Sequence, residues 1–239
     1  MTENRGAGSG GEWFRSYYGD DYMASVRDLL DGARTERETD FLVRATGVMQ
    51  GARVADLGCG EGRHALQLAR RGLQVTAIDL NAQFLERGRA EAQRQGLEVD
   101  WVLGDMRTPQ RGPFDLVLLL FHSFGFFSDL ENLSLLRDWR QQLGPWGHLA
   151  IDVWNREGIL QTFVARATRT VGGGLSVLEE RAWEPRTQRL QVHYRYRWQD
   201  GRERGYDASY RLYGKEELEA LLREAGGAVQ ICGGTSLQY

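Results

Sequence analysis

The sequence contains one lysine, two cysteines and four prolines among its 239 residues. Because Lys215 is the only lysine, almost all of the positive charge comes from arginine. The formal net charge is −3, without the excess of one sign that would favour nucleic acid or a membrane surface as a partner. Cys59 and Cys232 lie far apart and provide no disulfide framework. The small number of cysteines, without a disulfide framework, favours a reducing compartment.

Long apolar runs and a leader pattern are also lacking. The longest apolar run, 116–121, is far shorter than the roughly 20 residues that a membrane helix needs. The polar, glycine-rich start of the chain has neither the basic nor the apolar region of a signal peptide. We therefore expect a cytoplasmic protein. Its content of 41% hydrophobic and 26% charged residues suits one or two globular domains.

Strand and helix patterns alternate from residue 51 onward. Apolar stretches predict strands at 52–58, 73–80, 97–105, 114–121 and 147–154. Amphipathic stretches predict helices at 62–72, 82–96 and 130–144. Strands separated by helices in this way form a parallel sheet with helices on both faces. The predicted fold class is α/β, with a doubly wound sheet.

The sequence on either side of this core has other patterns. Two helical stretches, about 21–30 and 35–48, precede the first strand. After the fifth strand, apolar and polar residues alternate, and turn residues separate the stretches; this pattern predicts an inserted antiparallel meander with strands at 175–183, 189–199 and 203–213. A helix from residue 215 and a strand at 228–232 are then predicted to complete the core.

A glycine-rich turn joins the first predicted strand to a helix in the stretch VADLGCGEGRHA, residues 54–65. Ligands of open parallel sheets bind at such turns, and the glycines at 58, 60 and 62 allow close backbone approach. A dinucleotide loop reads G-x-G-x-x-G, but here Arg63 stands where its third glycine would be. Asp56 would also repel a pyrophosphate and attract a cationic group. The pattern disfavours NAD, and a turn without a ligand remains the alternative.

Two further carboxylates follow the next two predicted strands. Asp79 lies 23 residues after Asp56, about where an acidic residue accepts hydrogen bonds from ribose hydroxyls. Asp105 is placed to accept from an exocyclic amine, with Leu80 and Met106 on either side of a flat base. Each of these residues has an alternative interpretation as a strand-end cap or a core residue. A row of three carboxylates beside a glycine loop favours a nucleoside ligand.

Four stretches, VADLGCGEGRH, VTAIDL, VLGDM and FDLVLLLFHSFGFF, follow one another in this order. They resemble the successive motifs of class I S-adenosylmethionine-dependent methyltransferases, over about 51–154. The resemblance implies a Rossmann-like sheet and S-adenosylmethionine as cofactor. It also implies a place for each matching residue. The methionine part is surrounded by Asp56, Gly58, Gly60 and Gly62, Asp79 holds the ribose, and Asp105 and Met106 hold the adenine.

A second resemblance concerns the flanking segments. The stretches WFRSYYGDDY and FHSFGFF, together with the meander, resemble a bacterial group that acts on small molecules and includes sugar-amine N-methyltransferases. The chain is then expected to have four parts: a mobile segment and helical lid at 1–50, a cofactor-binding core at 51–154, a β insertion capping the acceptor site at 155–213, and a C-terminal helix and strand at 214–239. A monomer or homodimer is expected.

Methyl transfer is an in-line displacement for which the protein mainly supplies position. His122 is the one candidate for a general base, although it equally suits a loop contact or the adenine pocket. Tyr18, Arg34 and Phe121 are further candidates for cofactor contacts. The candidates for acceptor contacts are Tyr22, Ser123, Phe126, Trp154, Asn155 and Arg156. The histidines show no metal-ligand spacing, so we expect no metal.

Three other functions remain as alternatives. Methylation of nucleic acid is disfavoured, because FHSF stands where such enzymes carry a motif that holds a flipped base. An NAD-type oxidoreductase is disfavoured by the glycine spacing and Asp56. A nucleoside-binding module without turnover predicts cofactor binding with no acceptor. The favoured hypothesis is methyl transfer to nitrogen or oxygen of a small molecule.

Overall fold

The computed structural model describes residues 12–228. These divide into two compact units. The antiparallel-sheet unit contains residues 12–29 and 164–210, and the parallel-sheet unit contains residues 30–163 and 211–228. The predicted strand at 228–232 lies almost entirely outside the described residues. The division of the chain into four parts stays a prediction.

The parallel-sheet unit alternates helices and strands. Its elements before the sheet reverses are α3 (Gly32–Thr46), β1 (Arg53–Leu57), α4 (Arg63–Arg70), β2 (Gln74–Asp79), α5 (Ala82–Arg94) and β3 (Asp100–Leu103). The later elements are β4 (Phe114–Leu119), α6 (Asp129–Gln141), β5 (Leu143–Ile151), α7 (Arg156–Gln161) and α8 (Lys215–Glu224). Each strand and helix predicted between residues 51 and 154 is present, although β5 begins four residues earlier than the prediction for its strand.

The five strands lie in the order β3-β2-β1-β4-β5, and all of their pairings are parallel. The chain moves outward from β1 to β3 and then returns to the other side of β1. Since parallel crossovers are right-handed, this reversal places helices on both faces of the sheet. The reversal between β1 and β4 is where such sheets bind ligands.

Local sequence explains where the helices begin. The side chain of Asp31 accepts a hydrogen bond from the amide of Arg34 and caps α3, and Asn81 caps α5 in the same way. Ser128 and Glu131 form a capping box at the start of α6. Side-chain oxygens at these positions satisfy amides that the first helical turn leaves free. The helix beginnings therefore follow from single residues.

Complete burial of the central strands explains their uninterrupted apolar sequences. In β4, the side chains of Leu116, Val117, Leu118 and Leu119 are all 0% exposed. Trp139 of α6 is also fully buried, and its indole donates to the carbonyl oxygen of Met106 at 2.6 Å. Burial on both faces removes the alternation that a half-exposed strand would show.

The antiparallel-sheet unit contains more strands than the meander predicts. It comprises the short helices α1 (Phe14–Tyr17) and α2 (Asp20–Val26) and the strands β6 (Arg166–Val171), β7 (Leu175–Glu184), β8 (Arg189–Arg197) and β9 (Glu203–Arg211), whose last residue belongs to the other unit. The strands lie in the order β6-β7-β8-β9. Strand β6 was not predicted because none of its residues is buried, so it has no apolar face. No helix in the described part of the chain is long and apolar enough to cross a membrane.

Candidate active site

Three glycines form the turn between β1 and α4. Gly58, Gly60 and Gly62 have φ values of 66°, 58° and 79°, in the left-handed region that costs other residues roughly 1–2 kcal/mol. The amides of Gly58 and Cys59 both donate to the carbonyl oxygen of Ile78, at 2.8 and 3.1 Å. The turn is thereby fixed to the end of β2, in a conformation that requires glycine.

The first and third glycines make room for different neighbours. A Cβ at Gly58 would lie 3.2 Å from Cε of Met106 and 3.2 Å from Oγ of Ser123. A Cβ at Gly62 would lie 2.3 Å from Cη2 of Trp101. Gly58 thus brings together two predicted site residues, one for adenine and one for the acceptor. Gly62 instead allows the packing of β3 against the turn.

Asp56 lies near the end of β1 and is 3% exposed. Its Oδ2 atom is buried and has no hydrogen-bond partner among the described residues. Burial raises the pKa of Asp56, while His64 and Arg63 lower it. A buried carboxylate oxygen without a partner is costly. The site therefore fits a ligand with a cationic group, as the methionine end of S-adenosylmethionine has.

Asp79 ends β2 and is held by two backbone amides. Its Oδ1 accepts from the amide of Asn81, and its Oδ2 accepts from the amide of Gly60, both at 2.8 Å. Burial raises the pKa of Asp79, although these amide bonds lower it. Each oxygen retains a second lone pair. The carboxylate is therefore oriented and able to accept from two hydroxyl groups such as those of a ribose.

Asp105 follows β3, and its carboxylate forms an ion pair with Arg107, two residues further along the chain. The guanidinium of Arg107 donates to both carboxylate oxygens, at 3.0 and 2.6 Å. Met106 is buried and Leu80 is partly buried. An exocyclic amine would therefore have to share Asp105 with Arg107. The adenine contacts of Asp105, Met106 and Leu80 stay predictions.

A cluster of charged side chains, the Glu38 cluster, joins α3 to α4. Glu38 accepts from Nε of Arg34 at 2.7 Å and from Arg63, and Nε2 of His64 lies 2.9 Å from the same carboxylate. Burial raises the pKa of Glu38, but the bonds from His64, Arg63 and Arg34 outweigh it and hold the pKa well below its usual range. The predicted contact of Arg34 with the cofactor stays a prediction, and the Nε atom of Arg34 already donates to Glu38.

The chain turns sharply after β4. Phe121 and His122 are consecutive non-glycine residues with φ values of 52° and 63°, a conformation that costs on the order of 1–3 kcal/mol for each residue. The amide of Phe121 donates to Oδ2 of Asp152 at 3.1 Å. The guanidinium carbons of Arg34 and Arg63 each lie 5.4 Å from the centre of the Phe121 ring. Such strain is typical of functional sites.

The imidazole of His122 lies among aromatic rings. Its centre is 4.7 Å from that of Trp154 and 5.6 Å from that of Phe121. Its Nδ1 is buried, has no hydrogen-bond partner among the described residues, and lies 4.0 Å from Oδ1 of Asp152. Burial lowers the pKa of His122, against the effect of Asp152. This lowering favours the neutral form of the ring, which a base requires.

Other candidates for acceptor contacts are already engaged. Ser123 donates its hydroxyl to the carbonyl oxygen of Leu120 at 2.8 Å, and Phe126 is buried. Asn155 caps α7, and Arg156 forms ion pairs with acidic side chains of α7 and α8. Of this set, Trp154 lies beside His122. Their acceptor contacts stay predictions.

Tyr18 and Tyr22 belong to the antiparallel-sheet unit. Their ring centres are 4.7 Å apart, and Tyr17 lies within 5.2 Å of both. Tyr17 also stacks on Tyr194 at 4.7 Å. Burial raises the pKa of Tyr18, so its phenol is protonated. The predicted contacts of Tyr18 with the cofactor and of Tyr22 with the acceptor stay predictions.

The segment after β4 is anchored at its far end by Arg211. The amide of this residue donates to the carbonyl oxygen of Gly125 at 2.8 Å. Its guanidinium donates to Asp129 at 2.9 Å and to Glu217, and the residue is only 6% exposed. A Cβ at Gly125 would lie 2.4 Å from the carbonyl oxygen of Arg211. The backbone of the segment is therefore fixed at both ends.

Sequence reasoning missed Asp152 and the carboxylate of the Glu38 cluster. A signal existed for both. Asp152 follows the fifth strand in AIDVW, just as Asp79 ends the second strand in AID. Glu38 stands four residues after Arg34, a spacing that places two side chains on the same face of a helix. Neither signal identifies the partner that the side chain meets across the fold.

Residues 54–147 match the family described as a methyltransferase domain. The match covers most of β1, the glycine turn, β2 to β4, the segment that follows β4, α6 and the first half of β5. It confirms the resemblance to S-adenosylmethionine-dependent methyltransferases. The chain carries a domain of this enzyme class, and S-adenosylmethionine is the cofactor of the class.

A curated relative supports the same class. The magnesium-protoporphyrin O-methyltransferase of Rhodobacter capsulatus is 33% identical over 110 residues, which are 45% of this chain and 49% of that protein. The chain thus spans about half the length of the curated relatives it matches. The likeness leaves about half of each protein unmatched.

Solved structures share the fold over most of the chain. A S-adenosylmethionine-dependent methyltransferase from Clostridium acetobutylicum has a TM-score of 0.72 at 16% identity, covering 89% of this chain and 87% of that one. An amino pentose methyltransferase from Micromonospora echinaspora, solved with S-adenosylmethionine bound, has a TM-score of 0.67 at 23% identity, covering 87% and 89%. They confirm the α/β class with a Rossmann-like parallel sheet, N-terminal helices and an added antiparallel sheet.

Proposed function

We propose that this protein transfers the methyl group of S-adenosylmethionine to a nitrogen or oxygen atom of a small molecule. The observation that supports the proposal most is the buried Asp56, whose Oδ2 has no partner among the described residues. It stands beside a turn whose backbone requires glycine. A cationic ligand group would satisfy this oxygen, whereas a pyrophosphate would be repelled.

Each part of the cofactor has candidate residues in this proposal. Asp56 and the turn glycines contact the methionine part, and Asp79 the ribose. Around the adenine lie Leu80, Asp105 and Met106, and the remaining cofactor contacts are Tyr18, Arg34 and Phe121. When bound, S-adenosylmethionine supplies an activated methyl group. The protein aligns the acceptor with that group, which is the main source of rate in a displacement.

The acceptor is proposed to bind near the segment that follows β4. His122 is the candidate base, because a neutral imidazole can take up a proton. A base is needed only where the acceptor loses a proton during the transfer. The names of the relatives support small-molecule acceptors, since one is an O-methyltransferase of magnesium-protoporphyrin and another an amino pentose methyltransferase. We further propose a cytoplasmic monomer or homodimer without a nucleic-acid partner.

Thermal unfolding with S-adenosylhomocysteine, S-adenosylmethionine and NAD tests the cofactor. A ligand at 100 times its dissociation constant stabilises by about 2.7 kcal/mol, and about 2–4 °C per kcal/mol is expected at this size. We expect a shift with the two adenosyl ligands and none with NAD. Asp56→Asn should lose the shift. Asp115→Asn is the matched control, because Asp115 accepts an amide at the opposite end of the sheet, from Arg53 at 2.8 Å.

Release of S-adenosylhomocysteine from S-adenosylmethionine tests turnover. The acceptor panel contains amino sugars, small amines and phenols, with duplex DNA and transfer RNA for comparison. Turnover with a small molecule supports the proposal, and turnover with the nucleic acids alone contradicts it. Binding of the adenosyl ligands without turnover on any of these would favour the binding module. A shift with NAD alone would favour an oxidoreductase.

A further inference from the structure

Asp152 follows β5 and contacts two consecutive residues of the strained turn. Its Oδ2 accepts from the amide of Phe121 at 3.1 Å, and its Oδ1 lies 4.0 Å from Nδ1 of His122. Its own amide donates to the carbonyl oxygen of Leu119 at 2.8 Å, which fixes it beside the end of β4. A single carboxylate therefore holds the backbone of one strained residue and faces the side chain of the next.

The position of this carboxylate bears on the tautomer of His122. A neutral imidazole carries its proton on one nitrogen and a lone pair on the other. Nδ1 is buried and has no hydrogen-bond partner within residues 12–228. A lone pair on Nδ1 would face the negative charge of Asp152, whereas an N–H would be attracted to it. The distance exceeds that of a hydrogen bond, so the preference is electrostatic.

Two other charged groups act on His122, both from α3. Arg34 lowers the pKa of His122 and Glu38 raises it, and both effects are weaker than that of Asp152. Arg34 and Glu38 are bonded to each other at 2.7 Å, so their charges largely cancel at a third group. Asp152 is the charge that remains next to Nδ1. The rings of Trp154 and Phe121 restrict rotation of the imidazole away from it.

We infer that Asp152 is a positioning residue that holds His122 as the Nδ1–H tautomer, which leaves the lone pair on Nε2 for the proton of the acceptor. The inference rests on the proposed methyl transfer. In that step the acceptor atom forms a bond to the methyl carbon, the S–C bond breaks with its electron pair on sulfur, and the acceptor proton moves to Nε2. In the other tautomer Nε2 carries a proton and cannot receive one.

Nitrogen-15 NMR of the imidazoles tests the inference on the full chain without an acceptor. The sequence contains only four histidines, and His122→Gln assigns the signals of His122. Long-range proton–nitrogen spectra distinguish the two tautomers. We expect the Nδ1–H form in the unmodified protein at neutral pH. The Nε2–H form would overturn the inference without the need for any variant.

Asp152→Asn changes the charge and keeps the shape of the side chain. Its amide NH2 can donate to Nδ1, so we expect a shift toward the Nε2–H tautomer. We also expect a fall in the pKa of His122, because the negative charge that raises it is lost. The matched control is Asp115→Asn, on the same sheet but at its other end, which should leave both readouts unchanged. An unchanged tautomer and pKa in Asp152→Asn would contradict the inference.

The same samples separate this inference from the proposed function. Thermal unfolding with S-adenosylhomocysteine reports cofactor binding, which does not depend on the tautomer of His122. Binding together with the Nε2–H form overturns the positioning role alone. The Nδ1–H form without binding overturns the proposed function, and the positioning role of Asp152 in methyl transfer falls with it.

Discussion

The indole of Trp101 fills the space that any side chain at Gly62 would need. A Cβ at Gly62 would lie 2.3 Å from Cη2 of Trp101, and one at Gly88 would lie 2.4 Å from the same atom. The absence of side chains at two glycines, one in the turn between β1 and α4 and one in α5, thus makes room for one tryptophan from β3. The third glycine of the turn is needed for packing within the protein.

Gly62→Ala should therefore destabilise the fold more than Gly60→Ala. Overpacking costs about 1–3 kcal/mol, in addition to roughly 1–2 kcal/mol for the left-handed conformation. At Gly60 there is no atom within 4 Å of a new Cβ, so only the conformational cost applies. Urea unfolding measures both variants. If Trp101→Ala fails to offset part of the Gly62→Ala cost in the double variant, the indole is not the cause.

Binding of S-adenosylhomocysteine should weaken as the pH falls. The weakening should begin at a higher pH than it would if Asp56 had the pKa of an ordinary aspartate. Burial raises the pKa of Asp56, and only the ionised carboxylate attracts the ligand ammonium. A protein whose Asp56 is protonated must lose that proton to bind, so the affinity decreases toward acid pH. Isothermal titration between pH 8 and about pH 5 measures this trend. Asp56→Asn should bind weakly throughout and lose much of the dependence, and an equal dependence in both proteins would contradict the assignment.

Glu38→Gln should destabilise the protein at neutral pH. The change removes the charge that pairs with Arg34 and Arg63, and leaving partly buried charged partners unsatisfied costs about 1–3 kcal/mol. Since the folded pKa of Glu38 is held well below its usual range, this stability is present above the unfolded value of about 4.3 and is lost as the pH falls further. Urea unfolding at pH 7 and in acid measures the difference. The difference in unfolding free energy between Glu38→Gln and the unmodified protein should be smaller in acid than at pH 7.

The matched control for this change is Asp40→Asn on the same helix. Asp40 pairs with Arg71 and has a side chain that is 44% exposed. Exposed pairs of this kind contribute about 0–1 kcal/mol. A loss in Asp40→Asn equal to that in Glu38→Gln would show that any charge change on α3 has the same effect.

Arg211→Lys should loosen the segment that follows β4. Lysine keeps the charge but cannot donate in the forked geometry of a guanidinium. We expect a destabilisation of about 1–3 kcal/mol and faster hydrogen exchange for the amides between Gly125 and Asp129. Arg223→Lys, at an exposed pair with Glu219, should change stability by less than about 0.5 kcal/mol. Exchange that stays slow in Arg211→Lys would contradict the anchoring role.

The core was predictable because its information is local. Uniform apolar composition indicates a buried strand such as β4, and a capping residue such as Asn81 indicates where a helix begins. The row formed by Asp56, Asp79 and Asp105 also followed, because parallel strands end at the same edge of a sheet. None of this required knowledge of a contact between distant segments.

The missed features depend on contacts across the fold. Strand β6 is held by pairing with β7 and has no buried face, so its sequence lacks the usual signal. The burial of Asp56 Oδ2 and the approach of Asp152 to His122 arise only when separate segments meet. Arg107 is a different case, because it lies only two residues after Asp105: the sequence predicts that Asp105 accepts from an amine but not that Arg107 already donates to it.

The parallel order of β3, β2 and β1 has a consequence for the size of the ligand. Neighbouring strands lie about 4.8 Å apart, so the ends of β1 and β3 are separated by about 10 Å. A molecule that contacts Asp56, Asp79 and Asp105 together must extend across this distance. The spacing of hydrogen-bonded strands, the same in every sheet, thus sets a minimum length for the ligand.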